Sequence, residues 1–589
     1  MRRAGGAMTD LLLNADLCDE ADQRPDLDPD LGSDRGSADL AVRPSSLRYV
    51  VPIGAALALE ACGEGSGTIT SGTATPTPTP TSTAPPTSVQ ASRFLAQATF
   101  GASQADISQV QSLGYAGWIT DQIARPRGSH WDWLVANGYL DVANLNNSNG
   151  FDNSVWRQII TEPGQLRQRV GMALSEIIVV GLGGVTLSWR QFVGAAYLDI
   201  LLDNAFGNFR TLIEQITTNA GMASFLTYLN NRRENTATGA LPDENYAREL
   251  MQLFSIGLYQ LNMDGTLKMS GGNPIETYSQ NDVSQLARVF TGLVLDSNDN
   301  STPNRLRRPL VMNASLHETG ASTFLGTTIP AGTEGMAAVR MALDAIFAHP
   351  NVPPFISKQL IQRLVTSNPS PAYVGRVAAV FANNGSGVRG DLAAVVRAIL
   401  LDTEARSDAS LTSASAGKIR EPVIRLTNWA RSFGATSAGG LWPIGDTSSN
   451  STRLAQALGR SPSVFNFFRP GYTPPNTQLA SQSLVAPELQ ITDELSVVGY
   501  VNFIRGFVAN SNADIKADYS DLIAKAADSQ ALVDDVNLRL AAGQLSSATV
   551  ATIRAAVDSV ATTAANFAMN RVAIAVLLAM ASPDYIALK

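Results

Sequence analysis

Cysteine and histidine are nearly missing from this chain of 589 residues: two cysteines, Cys18 and Cys62, and three histidines, His130, His317 and His349. Two cysteines make neither a disulfide framework nor a thiolate metal cage. There is no C-x-x-C pair, phosphate loop or dinucleotide fingerprint, and no Gly-x-Ser-x-Gly elbow of a serine hydrolase. No cofactor and no metal is predicted. Charged residues make up only 16% of the chain and the net charge is −8, which gives no basic footprint for nucleic acid. Long apolar runs are scarce. The stretch Val572–Ala581 is about ten residues, half of what a bilayer crossing requires, and reads as a buried helix. What the chain has in quantity is apolar side chains, 45%, enough for a well-buried globular body.

The N-terminal region has a different character. Arg43 and Arg48 precede an uncharged apolar stretch, Tyr49 to Leu59, and small residues lead to Cys62. That order is the pattern of a secretory signal over residues 42–62. Leu59-Glu60-Ala61-Cys62 resembles the lipobox of bacterial lipoproteins, which implies lipidation of Cys62, export, and a membrane anchor on the periplasmic face of the envelope. Glu60 departs from the small or apolar residue usual there. Residues 63–91 are rich in Pro, Thr, Ser and Gly and read as a solvated linker that cannot pack. Residues 1–41 are acidic, which does not suit the front of a signal peptide, so synthesis is expected to start near Val42.

From residue 92 the periodicity is helical almost throughout, and the expected fold is mainly α, a multi-helix body with minor β. Helix breaks fall at Gly101 and Gly114, with Ser103 as a cap; Ser279 with Asp282 opens another helix. Further helices fit 334–348, 353–366, 371–383, 388–403 and 419–433, and "FLGTTIPAG" reads as short extended chain. Residues 92–433 are taken as the helical core and 434–485 as a Gly/Pro-rich loop region and boundary. Residues 486–589 form a C-terminal helical part.

The densest run of unlike polar groups is "PDENYARELMQLFSIG", residues 242–257, predicted as a helix starting at Pro242 and Asp243 and stopping at Gly257. Its periodicity places Tyr246, Ala247, Leu250, Met251, Leu253 and Phe254 on one face, and Glu244, Asn245, Arg248, Glu249 and Gln252 on the other. Glu244 and Arg248 are spaced to pair.

"SRFLAQATFGAS", "DENYARELMQLFSIGLYQL", "NDVSQLARVFTGL", "LHETGASTFLG", "HPNVPPFISKQLIQRLVTSNPSPAYVGRVAAVF" and "KIREPVIRLTNWARSFGA" resemble, in that order, the bacterial family called domain of unknown function 1800. "PSVFNFFRPGYTPPNT" is similar to the C-terminal part of one proteobacterial branch. The resemblance implies an exported protein with a partner from a second, sulfatase-like family, domain of unknown function 1501. Many members carry Trp-His-Asn-His-Phe where this chain reads "SEIIVVG" at 175–181, so functions built on those histidines do not transfer.

Glu244, Asn245, Arg248, Glu249 and His317 match the family's motifs, and Asn231 and Asn235 lie just upstream. Two readings follow. In one these groups brace the architecture of an envelope scaffold or binding module. In the other Glu244, Arg248, Glu249 and His317 are the acid–base and anion-binding groups of an envelope hydrolase, with Asn245, Asn231, Asn235, His349 and Arg469 as binding residues. A two-histidine, one-carboxylate metal set is not required by the spacing. His349, before Pro350, suits a helix end where a protonated ring favours the dipole. Arg469 sits among Phe465, Phe467, Phe468 and Tyr472, which can stack on a carbohydrate or close the core under a loop. Lys418, Arg420 and Glu421 read as surface pairing worth under about 1 kcal/mol.

Overall fold

A computed structural model describes residues 84–589 of the chain. The expected start near Val42, the signal at 42–62, Cys62 and most of the linker lie outside the described residues. The described chain is mainly helical; its strands are two or three residues long and form only two-stranded antiparallel ladders.

Local chemistry sets the helix ends. The first helix, Ser88–Ala98, begins inside the segment assigned to the linker, because Thr87 and Gln90 form a reciprocal capping box. The next, Gln104–Ala124, starts at a Ser103–Asp106 box and bends at Gly114, whose φ of 66° breaks the helical run. Ser279 and Asp282 cap Gln280–Val289 in the same way. Helices Gly335–Ala348, Val352–Leu364, Pro371–Ala382, Leu392–Leu401 and Pro422–Ser432 occupy the expected stretches. The extended piece at "FLGTTIPAG" is the hairpin Ser322–Phe324 with Thr327–Ile329, turned through Leu325 and Gly326, both at positive φ.

Residues 434–485 are largely irregular, yet they do not separate two bodies. The described residues form one compact unit, and Trp442, Ile444, Leu454 and Phe468 of this stretch are buried in it. The first described helix meets the C-terminal region: Ser92 Oγ donates to the carbonyl of Leu538, in helix Ser529–Ala541, at 2.7 Å, and Arg93 Nε to that of Lys589 at 3.0 Å. Strand Ala587–Leu588 pairs with Lys418–Ile419. A core running from Ala91 to Tyr585 closes over this junction. Each fully buried Leu, Val or Phe there contributes about 1.5–3 kcal/mol. The helix Phe567–Ala581 packs into the core, and among the described residues no helix is long and apolar enough to cross a membrane.

Candidate functional site

The motif at 242–257 forms a shorter helix than its sequence predicts, Asn245–Gln252, with Gly257 at a φ of 74° turning the chain away. Tyr246, Ala247, Leu250 and Met251 are buried as expected; Glu249 is buried as well and does not share the wet face. Burial raises the pKa of Glu249 against the pull of Arg248, and one carboxylate oxygen has no partner. Glu244 receives Arg248 Nη2 at 3.0 Å, Gln280 Nε2 at 2.7 Å and the Ser284 hydroxyl. Arg248 also donates to Gln280 Oε1 at 3.1 Å. These groups saturate one another and tie two helices together. Asn245 reaches Thr227 Oγ1 at 3.5 Å, and Asn231 clamps Asp243 through two hydrogen bonds. Asn235 instead closes its own turn, accepting from the backbone of Ala237 and Thr238.

The histidines are structural in their contacts. His317 is buried, and its Nδ1 lies 2.9 Å from the Thr291 carbonyl, which only accepts, so Nδ1 carries the proton. It borders a cavity of about 10 Å³ beside Arg288 and Glu318, which face each other at 3.6 Å. His349 ends helix Gly335–Ala348, but its Nδ1 accepts from the Asn351 N–H at 3.1 Å and is therefore unprotonated. Burial, then Lys268 and Arg389, lowers its pKa, so the protonated cap expected from the sequence gives way to a neutral one. His130 is buried beside Ser154, its pKa pushed down to about 3 by burial. Among the described residues no three His, Cys, Asp or Glu side chains gather as a metal site.

The large cleft lies elsewhere. It has a volume of about 1290 Å³, and one wall is a stripe of helix Val352–Leu364: Phe355, Lys358, Gln359 and Gln362, spaced i, i+3, i+4, i+7. The opposite wall comes from the loop carrying Phe465, Arg469 and Tyr472, held in place by Asn368, which makes two 2.9 Å hydrogen bonds with the backbone of Val485. Gln490 Oε1 accepts the Arg469 backbone N–H at 2.8 Å. The guanidinium of Arg469 rests 4.5 Å from the Phe465 ring centre. Phe468 turns inward and is buried, whereas Phe465, Phe467 and Tyr472 are half-buried; the aromatic run thus both plugs the core and faces the cleft.

Glu176, following helix Gln165–Ser175, lies on the floor with Arg363. Behind them is a buried ionic cluster. Lys418, 5% exposed, donates to the Arg363 carbonyl at 2.8 Å and sits 3.1 Å from both Glu421 and Glu488, so all three ammonium hydrogens are used. Gln456 Nε2 donates to the other oxygen of Glu421 at 2.7 Å. Glu421 is 0% exposed, and Arg420 is buried on the Tyr585 ring. The surface pairing expected for Lys418, Arg420 and Glu421 is thus a core network; chain from residues 176, 456 and 488 covers it, which local periodicity does not reveal.

Glu176 adjoins Glu421. As two carboxylates they would meet with no donor between them; neither Glu176 oxygen accepts a hydrogen bond, and Arg363 Nε faces Oε2 only at ion-pair distance, 3.6 Å. Burial first, and the negative charge of Glu421 second, raise the Glu176 pKa well above the usual carboxyl range, so it holds a proton and donates it to Glu421. Burial opposes the ionised form of Glu421, but the Lys418 ammonium and this donated bond outweigh it and hold it ionised. Gln359 Nε2, Arg363 Nε and Ser367 Oγ, all around the cleft, are also buried without hydrogen-bond partners. Sequence reading reached Arg469 but missed Glu176, Lys358 and Arg363. The available signal was a helix stripe with a lysine and two amides but no acidic residue to pair with it.

A family model described as "Protein of unknown function (DUF1800)" matches residues 93–587. No curated protein and no solved structure matches the chain. From its first described helix to the strand that closes the ionic cluster, the chain belongs to the DUF1800 family.

Proposed function

We propose that this protein is a ligand-binding module of the bacterial cell envelope, exported by the leader at 42–62, tethered through Cys62, and holding its ligand in the cleft. The observation that carries the binding role is a preformed cleft of about 1290 Å³ with an exposed cation on each of two walls, Lys358 and Arg469, neither of which has a side-chain hydrogen bond or ion pair among the described residues. Export rests on the leader pattern alone, and a sulfatase-like partner of the 1501 family rests on the family resemblance. Co-purification from envelope membranes, with intact-mass analysis at Cys62, tests both; an unmodified thiol in a cytosolic protein rejects the setting.

Lys358 provides the test of the cleft. Its ammonium is exposed at the cleft wall, where acetylating reagents reach it, and has no hydrogen-bond or ion-pair partner among the described residues; partial desolvation by the cleft lowers its pKa. Fractions of an envelope extract should protect Lys358 from acetylation, read by mass spectrometry, while leaving surface lysines such as Lys516 unprotected. If no fraction protects it, the cleft is not the ligand site.

A second reading, an envelope hydrolase, is favoured by Glu176. A carboxyl group kept neutral on a cleft floor suits a proton donor better than the saturated pair Glu244 and Arg248. Solvent does not reach its oxygens, so transfer requires the floor to shift toward the ligand. Glu176→Gln would then abolish turnover of an envelope substrate while retaining its binding; unchanged turnover rejects this role.

A further inference from the structure

The charge balance of the cleft goes further than the presence of a site. Lys358 and Arg469 face it from opposite walls, and neither side chain has an ion pair or hydrogen bond among the described residues. The stem of Lys358 passes over Gly265, where an added Cβ would lie 3.6 Å from its Cδ. Among the described residues Glu176 is the only carboxyl group lining the cleft, and it is held within the floor cluster. An unpaired cation on each wall with no anion between them favours a negatively charged occupant.

The remaining surfaces describe the rest of that occupant. Half-buried Phe465 and Tyr472 line the cleft with aromatic rings, and Gln252 and Gln490 add accessible side-chain amides. Ring faces with amide donors suit a ligand with flat apolar patches and many hydroxyls. The volume exceeds the roughly 300–1,000 Å³ usual for a compact small molecule, so the occupant is extended. A net charge of −8, with only two free cations in the cleft, gives no continuous basic track for a nucleic acid backbone.

Resting on the reading of the cleft as the ligand site, we infer that it binds an acidic oligosaccharide, with Lys358 and Arg469 pairing to carboxylate-bearing sugar units and Phe465 and Tyr472 stacking on the rings.

Calorimetric titration of the full chain with trimers of galacturonate, mannuronate and guluronate tests this against maltotriose and inorganic phosphate. At least one uronate trimer should bind at least about tenfold more tightly than maltotriose and phosphate, and less tightly as salt rises. Lys358→Ala and Arg469→Ala should each weaken that binding about tenfold without lowering the melting temperature. Maltotriose binding as well as the uronates, or uronate binding that survives loss of both cations, overturns the acidic class. Phosphate binding as tightly as the trimers overturns the saccharide. If envelope fractions protect Lys358 yet no uronate trimer binds, the cleft stays a ligand site and the acidic oligosaccharide is rejected. If nothing protects Lys358, the underlying reading fails first.

Discussion

The helix at 245–252 and the cleft floor at 176 and 363 are built from the same kinds of side chain, and they behave oppositely. Around Glu244 both carboxylate oxygens find donors, with Arg248, Gln280 and Ser284 closing a ring at a half-exposed surface, and the one orphan of this helix is Glu249 Oε2 on its buried side. Around the cleft, Lys358 and Arg469 have no counter-charge among the described residues, while Gln359 Nε2 and Ser367 Oγ are buried without hydrogen-bond partners. A saturated exposed pair is worth at most about 1 kcal/mol and calls for no further explanation. A cluster of buried unpaired atoms costs about 1–3 kcal/mol apiece and does. Crowding of polar letters in the sequence is therefore a weaker sign of a site than polar atoms left without partners in space.

Substitutions sharpen that contrast. The largest effect is expected from Lys418→Met, which leaves Glu421 and Glu488 buried without their cation and should cost about 3–5 kcal/mol in denaturant unfolding. A cost below about 1 kcal/mol would refute the buried network. His317→Ala comes next: it strands the Thr291 carbonyl, and a loss of about 1–3 kcal/mol is expected in the same measurement. An unchanged melting temperature would return His317 to the list of functional candidates.

Glu176→Gln acts through pH. The raised pKa means that the folded chain keeps a proton which the unfolded chain gives up above about pH 4.5, so this group's contribution is full below that pH and declines as pH rises toward the folded value. Glutamine keeps a donor toward Glu421 and cannot ionise. The melting temperature of the variant relative to the parent chain should therefore climb as pH rises above about 4.5; a difference that does not vary with pH would show that Glu176 is ionised in the fold. The smallest effect is Arg248→Ala, expected to cost at most about 1 kcal/mol. A loss rivalling that of Lys418→Met would erase the distinction between the two regions.

Much of the fold was legible in the sequence because its signals are local. Ser103 with Asp106 and Ser279 with Asp282 mark helix starts through bonds that span three residues, and Gly114 marks a bend that its own φ requires. The site was less legible for the converse reason. Lys418, Arg420 and Glu421 look like a surface cluster until Gln456 and Glu488 arrive from later chain to cover them. Glu249 sits at a polar position of the helical wheel, yet the fold buries it. Arg469 stood out because aromatic residues surround it in the chain itself, whereas Lys358 acquires its meaning from a loop more than a hundred residues away.

The two-residue ladder between Lys418–Ile419 and Ala587–Leu588 gives this architecture an order of assembly. Lys418 anchors the floor of the cleft, and among the described residues its strand pairs with residues 587 and 588 alone. That pairing joins segments far apart in the chain, a long-range closure of the slow kind, so it is expected to follow the locally bonded helices. Kinetic refolding should therefore show helical structure forming before the cleft can protect its lysine.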